Sequence, residues 1–551
     1  MKKISLLLIA SYFLINCAGE KRNTEEPEPN RPNIILILSD DMGYSDLGCY
    51  GGEVETPNLD ALAANGLRFT QFYNGARCCP TRASLMTGCY PHQTGIGHMT
   101  NTPNNLTQHD LGIPEYRGFL NKNCVTIAEV LKDAGYSTLM TGKWHLGISD
   151  QSKWPLQRGF DKFYGLIPGA SNFFKPEFPR GITFMNDTIS VTDEDYYTTD
   201  AFTDYAIQFI DEAKQTDEEK PFFLYLAYTA PHWPLNAPHE DVQKYKGTYM
   251  EGWTKLRETR YAKMQEMGIV DQEWDLSPQD WREWDFLSDE KKKEMDLRRA
   301  VYSAQVDRMD QNIGKLVDHL KEQNILDNTL IVFLNDNGAC AEGGELGGGP
   351  AEQLDTKEGY FLSYGGAWAN ASNTPYREYK HWVHEGGIGT PFIVHYPKVI
   401  PKEKHGQLVS EYGFLPDLMA TFVDVAQTSY PKEYNGNAIV PTAGKSLVPL
   451  FEGDNTPVHS EPIFWEHEGN KAVRLGKYKL VSKWSKKNET QWELYNIETD
   501  RSEMHDLAFT ETEKVTEMAA LYNTWASENH VLPWNKVEEL YREKRKKEKN
   551  Q

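Results

Sequence analysis

The segment IILILSDD, residues 34–41, runs five aliphatic side chains straight into a serine and two aspartates. With no polar residue alternating, such a run reads as a strand buried on both faces, as in parallel sheets. The same pattern returns as YSTLMTG then KWH (136–145), PFFLYLAYTA then PHW (221–233) and TLIVFL then NDNG (329–338). Between these runs lie stretches of helical spacing. They are TIAEVLK (126–132) and Arg299 to Leu320, the latter with Met309, Ile313, Leu316 and Leu320 on one face. Strands alternating with helices predict an α/β fold, an open and mostly parallel sheet flanked by helices, with the ligand site beyond the carboxyl ends of the strands. Each polar cluster falls at such an end.

Further along, two changes of pattern divide the chain. From His239 to Glu294 it turns charged and tryptophan-rich (Trp253, Trp274, Trp281, Trp284), which predicts a helical excursion packed on the rim and shaping the substrate entrance. Those tryptophans could stack on a sugar or aryl ring, but packing is the commoner use of such residues. After about Gly453, AVRLGKYKLVSKW (472–484) and TQWELYNIE (490–498) alternate as antiparallel strands do, before a last helix over roughly Glu511 to Ser527. The expected organisation is a catalytic domain over 32–453 and a smaller α+β domain over 454–551.

The N-terminus, MKKISLLLIASYFLINC, has two lysines, an apolar run from Ile4 to Ile15 and then Cys17, which reads as an export signal over 1–16. Leu14-Ile15-Asn16-Cys17 resembles the lipobox of bacterial lipoproteins, in which the cysteine becomes lipidated; Asn16 departs from the usual small residue, and an ordinary secretory signal is the alternative. The polar, proline-bearing residues 17–31 then suit a tether. This predicts an exported lipoprotein, anchored at a membrane on the periplasmic side or cell surface. A net charge of -22 excludes a general nucleic-acid binder, since a phosphate backbone would be repelled. REKRKKEK near the C-terminus reads as a solvated helix end. The remaining cysteines, Cys49, Cys78, Cys79, Cys89, Cys124 and Cys340, show no repeated spacing that would indicate a disulfide framework or a zinc site.

Asp40 and Asp41 follow one strand, and Asp336 and Asn337 follow another. Four oxygen donors of this kind suit calcium or magnesium rather than zinc. A lone DD or DNG is more often a cap or a turn, so a third element must complete the site. ARCCPTRASLMTG (76–88) is that element. Its Cys78-Cys79-Pro80-Thr81-Arg82, followed by Thr87-Gly88, resembles the C-x-P-x-R and T-G signature of the type I sulfatase family, within the alkaline-phosphatase superfamily. The resemblance extends to residues 33–52, to GKWHLG (142–147), TAPHWP (229–234), NDNG (335–338) and TPYREYKHWVHEGGIGTPFIV (374–394), and to the C-terminal strands. Residues 249–270 and 365–382 are most similar to the bacterial arylsulfatase branch.

The resemblance implies that Cys78 is oxidised by a sulfatase-maturating enzyme to formylglycine, whose hydrate is the nucleophile. It implies calcium, with magnesium possible, on Asp40, Asp41, Asp336, Asn337 and the residue from Cys78. Arg82 would hold the hydrate, and Lys143 and Lys380 would contact sulfate. His232, or Lys380 beside it, would protonate the leaving oxygen, and His145 would deprotonate the second hydroxyl to expel sulfate. Independently of the family, a sulfate monoester needs these three things: a strong nucleophile, positive charge on its oxygens and a proton for the leaving group. Cys79 reads as a small buried side chain, and His239, His381, His384 and His467 as structural or solvated, although His384 and His467 could approach substrate. The expected reaction is hydrolysis of an aryl or carbohydrate sulfate. A phosphonate or phosphodiester hydrolase is the enzymatic alternative, and a non-catalytic glycan-binding lipoprotein the other.

Overall fold

In the computed structural model, which describes residues 31–549 apart from 101–108, 455 and 488–490, the run that opens IILILSDD is a strand, β1 (Asn33–Ser39). Around it the main sheet gathers β2 (Leu67–Tyr73), β3 (Ser137–Lys143), β4 (Lys162–Leu166), β5 (Ile182–Phe184) and β6 (Asp187–Ile189). β7 (Phe222–Ala227), β8 (Thr329–Asn335), β9 (Gly389–His395), β10 (Leu408–Val409) and β11 (Gly413–Phe414) complete it. Their order is β10-β2-β9-β8-β1-β7-β3-β4-β5-β6, with β11 also on β2. The centre, β8-β1-β7-β3-β4, is parallel. β9 runs antiparallel to both β2 and β8, and β5 and β6 turn antiparallel at the far edge, so the sheet is mixed and mostly parallel.

Both faces of β1 are covered, which is why its sequence does not alternate. Ile35 and Ile37 enter one core with Leu224, Phe333, Met309, Ile313, Leu316 and Leu320, while Ile34, Leu36 and Leu38 enter another with Phe223, Val332 and Leu85. Register then fixes the site. Ser39 lies opposite Asn335 across β1 and β8, so the next residues, Asp40 and Asp336, leave the sheet side by side. Among the described residues no helix is long and apolar enough to cross a membrane. The proposed signal over 1–16, Cys17 and residues 17–30 of the tether lie outside the described residues.

The helix expected from Arg299 begins ten residues earlier, spanning Asp289–Glu322, with the Ser288 hydroxyl accepting from Lys291 N–H. Its first third is rich in charge. Arg299 and Asp296 are nevertheless buried, Arg299 against Asp46 at 2.7 Å. The tryptophan-rich excursion therefore ends at this helix rather than at Glu294, and supplies helices over His239–Tyr245 and Gly252–Glu266. Trp253, Trp274 and Trp284 are buried, and Trp253 meets Trp284 and Trp368 edge-on. Packing, not ring stacking on a ligand, occupies these three.

The C-terminal region forms a four-stranded antiparallel sheet, Ile463–His467, Asn470–Leu475, Tyr478–Ser482 and Glu493–Asn496 in that order. One face takes Met518, Tyr522 and Trp525 of the Thr512–Glu528 helix; the other packs on Tyr73, Val383 and Ile388 of the main unit. Through that junction runs buried charge. Glu385 accepts from Lys479 at 2.8 Å and Arg501 at 2.7 Å, and its own N–H donates to Glu503 at 2.9 Å. Burial works to raise the Glu385 carboxyl, but Lys479 and Arg501 outweigh it and hold it at about 2. The last helix, Trp534–Lys549, is not simply solvated: Tyr541 bonds His98 at 3.0 Å and Lys544 donates to the Asp110 carbonyl at 2.7 Å.

Candidate active site

Four strand ends and one helix start converge. Asp40 and Asp41 leave β1, Asp336 and Asn337 leave β8, Lys143 ends β3, and His232 follows β7. Cys78 opens a ten-residue helix, Cys78–Thr87, all of whose residues are buried, and Arg77 enters it with extended backbone. The Thr81 hydroxyl accepts from the Gly75 N–H at 2.8 Å, fixing the turn into the helix. Lys380 arrives on a loop held at both sides: its N–H donates to Ala339 O at 3.1 Å, and the next N–H, of His381, donates to Ala76 O at 2.7 Å. Asp41, Ala76, His145 and His381 all have positive φ (67°, 63°, 56° and 94°). Left-handed backbone at non-glycine residues costs about 1–3 kcal/mol each and persists where surrounding contacts impose it.

Charges pair inside this enclosure. Lys143 Nζ donates to Asp40 Oδ2 at 2.7 Å, and Lys380 Nζ to Asp41 Oδ2 at 2.8 Å. Arg82, one turn into the helix, donates to Asp336 Oδ2 at 2.9 Å and to the Lys143 carbonyl at 3.0 Å. The structure thus sets Arg82 on the Asp336 carboxylate and the end of β3. His232 Nδ1 donates to Trp233 O at 2.6 Å, which leaves Nε2 facing Asp41 Oδ2 at 3.3 Å. Burial pushes both His232 and His145 down to about 4, so both imidazoles are neutral near pH 7. Lys380 is pushed the other way: burial opposes its charge, but Asp41 and Glu342 outweigh burial and keep it protonated.

The acidic groups fit a hard divalent cation. Asp40, Asp41, Asp336 and Asn337 are all buried, and Asp40 Oδ1 and Asn337 Oδ1 have no hydrogen-bond partner. Burial, then Asp40, drives Asp336 well up, and burial drives Asp40 up against the pull of Lys143. A second positive centre among these oxygens would relieve that repulsion, and the donor set is oxygen only. Beside it, Cys78 is held well below the usual thiol range by the Cys79 thiol, with Lys143 and Lys380 adding to this against the opposing effect of burial.

Several residues of this site went unread in the sequence. Glu342 bonds Arg77 at 2.9 Å and Trp233 Nε1 at 2.8 Å, tying the approach to Cys78 to the approach to His232. Tyr225 OH lies 3.4 Å from Arg82. The signal for both was proximity, Glu342 in the NDNG loop and Tyr225 inside β7, but nothing in residue type marked them. Cys79 is buried as expected, and its Sγ also lies 3.3 Å and 3.4 Å from the two nitrogens of His145. His239 pairs with Asp355 at the surface at 2.9 Å, and His384 is buried 3.5 Å from Glu493. His467 is fully buried, its ring 5.3 Å from that of His381, and neither of its nitrogens is hydrogen-bonded. All six cysteines outside the N-terminal segment are free.

A mixed α/β sheet with an acidic cluster at its strand ends, set against a buried cysteine at a helix start and flanked by two lysines, defines a hydrolase of anionic esters. The sulfatase family model matches residues 32–428, and that of the N-sulphoglucosamine sulphohydrolase C-terminal region matches 378–525. An uncharacterized sulfatase of Schizosaccharomyces pombe is 33% identical over 92% of this chain and 96% of its own length. The arylsulfatase of Klebsiella aerogenes is 35% identical over 80% of this chain and 95% of its own. Among solved structures, that of Ps i-CgsB in complex with k-i-k-neocarrahexaose is 28% identical, with a TM-score of 0.67, and the match covers 91% of this chain and 93% of that one. The chain belongs to the sulfatase family and is a sulfuric ester hydrolase.

Proposed function

We propose that this chain removes sulfate from a sulfated carbohydrate, with Cys78 in its formylglycine form as nucleophile and a divalent cation, calcium before magnesium, on Asp40, Asp41, Asp336 and Asn337. The observation that carries this reading is the pair of buried oxygens without a hydrogen bond, Asp40 Oδ1, which has only the Arg82 guanidinium at 3.8 Å, and Asn337 Oδ1, beside the Cys78 helix start. A bound cation supplies positive charge against the sulfate oxygens and acidifies the attacking hydroxyl. Formylglycine supplies two hydroxyls on one carbon in place of a thiol. The chain's own residues do the rest.

Lys143 and Lys380 meet the sulfate oxygens and hold Asp40 and Asp41 in place. Arg82 locks Asp336 to the end of β3, so its work is to position a ligand. Lys380, its ammonium 2.8 Å from Asp41 Oδ2, supplies the proton for the leaving oxygen, and His232, with Nε2 3.3 Å from the same oxygen, is the alternative donor. His145, neutral and beside Cys78 and Cys79, accepts a proton from the nucleophile's second hydroxyl. A carbohydrate, rather than a simple aryl group, is favoured by the likeness to Ps i-CgsB, solved with a neocarrahexaose.

Export and lipidation at Cys17 belong to the same proposal, and incorporation of labelled palmitate that Cys17→Ser abolishes would support them. The reading of the site is tested by mass spectrometry across Cys78 together with sulfate release from 4-nitrophenyl sulfate and from sulfated sugars. Conversion of the thiol to the aldehyde in active protein is the expected result. Full activity with an intact Cys78 thiol would refute the mechanism.

A further inference from the structure

Seven large apolar side chains stand exposed among the described residues, and two of them, Phe178 and Tyr360, line one groove. Phe178 is 89% exposed and Tyr360 56%. Scattered singly, such residues mean nothing; gathered on one concave surface, they mark a binding place. Here they border a groove of about 680 Å³ that Phe178, Arg180 and Tyr360 line together with Lys175, Glu177 and Glu358.

This groove continues from the active site through a chain of rings. His232 lies 4.6 Å from Trp233 between ring centres, Trp233 lies 4.7 Å from Phe361 and 6.3 Å from Tyr360, and the Arg180 guanidinium sits 5.7 Å over the Tyr360 ring. Trp233 is also fixed from the nucleophile's side, by Glu342, which holds Arg77 next to Cys78. These contacts link the residues around Cys78 to the groove through Trp233 and Tyr360. The groove therefore lies on the side of the site where a neighbouring unit of the same substrate molecule would extend.

The charge of the lining says what kind of group it takes. Lys175 is paired with Glu358, and Glu177 offsets Arg180, so the groove offers an anion no net attraction. What it does offer is aromatic surface with polar groups at the rim, the lining suited to the mixed apolar and hydroxylated surface of a sugar ring. We propose that this groove is a second sugar subsite, which holds an uncharged, unsulfated ring adjoining the sulfated unit, so that the enzyme prefers an oligosaccharide or polymer to a single sulfated sugar. Phe178 and Tyr360 are its specificity-determining residues.

This inference rests on the carbohydrate sulfatase reading above, and the test separates the two. Galactose 4-sulfate and N-acetylglucosamine 6-sulfate, and the hexasaccharides of κ-carrageenan and of keratan sulfate that carry these units beside unsulfated rings, are compared with 4-nitrophenyl sulfate by sulfate release. The expected result is kcat/KM for one hexasaccharide at least tenfold above that for its sulfated monosaccharide. Phe178→Ala and Tyr360→Ala each lower the ratio of hexasaccharide to 4-nitrophenyl sulfate efficiency about tenfold. Phe178 is so exposed that its replacement leaves the fold alone, which circular dichroism verifies, and the ratio cancels any loss of active protein. Turnover of 4-nitrophenyl sulfate with no hexasaccharide preferred over its sulfated monosaccharide, or with ratios unmoved in both variants, overturns the subsite and leaves the sulfatase intact. No sulfate from any probe would remove both.

Discussion

Asp40 and Asp46 stand six residues apart, both fully buried, and the chain treats them in opposite ways. Asp46 is satisfied on both oxygens. Oδ1 accepts from Arg260 at 2.8 Å and Arg299 at 2.7 Å, and Oδ2 from Tyr302 at 2.7 Å and the Gly43 N–H at 2.9 Å. Burial alone would raise its carboxyl, but the two arginines outweigh burial and hold it low. Asp40 has Lys143 on one oxygen and nothing bonded to the other, and it is driven up. A buried carboxylate that the protein itself completes is structure, while one left incomplete awaits something from outside.

The sharpest way to break this comparison begins at the nucleophile. Cys78→Ala should lower kcat/KM on 4-nitrophenyl sulfate by on the order of 10⁴-fold or more, with the thermal transition unmoved, because the residue serves chemistry and not the fold. Asp40→Asn should cost about 10³-fold in the same assay, the scale of lost electrostatic preorganisation. Added calcium should raise the Tm of the parent chain and leave that of Asp40→Asn unmoved; a rise that persists in the variant would place the cation elsewhere. Asp46→Asn should do the reverse. It removes one of the two carboxylates, Asp46 and Glu53, that Arg260 and Arg299 share, at about 3 kcal/mol of stability read by denaturant unfolding, while the remaining folded protein keeps its KM.

A smaller effect of the same comparison appears with acid. Because the folded-state pKa of Asp46 is depressed, its contribution is fully present above the unfolded value near 3.8 and is lost as pH falls through the lower folded value. Unfolding measured from pH 5 downward should therefore steepen below about pH 4 in the parent chain, and less so in Asp46→Asn. Equal slopes would show that Asp46 is not ionised in the folded protein.

What the sequence made legible follows the range of the interactions involved. β1, β7 and β8 declare themselves because burial on both faces leaves an unbroken apolar run, whereas β3 has only Leu139 and Met140 between threonines. The metal-type pairs are legible because they sit directly at those ends. By contrast, the first turns of the Asp289–Glu322 helix were not assigned to it, and nothing near Arg299 in sequence reveals that Asp46 and Glu53 pair with it in the interior. Glu342 and Trp233 escaped for the same reason: their bond joins loops 109 residues apart. Arg82 stands among these side chains, and its partners, Asp336 and the Lys143 carbonyl, are products of the sheet order and not of the CCPTR motif that contains it.

The salt-linked junction at Glu385 carries one last implication, about modularity. Lys380, the residue assigned the leaving-group proton, lies five positions before a carboxylate gripped by Lys479 and Arg501 from the small antiparallel sheet. A chain stopped at Gly453 would retain Asp40, Asp41, Asp336, Asn337, Cys78, His145 and His232, together with the bonds that hold Lys380 to Ala339 and Asp41, and would lose the grip on Glu385. The C-terminal sheet is thus no detachable appendage. It anchors, five residues on, the segment that carries Lys380 into the site.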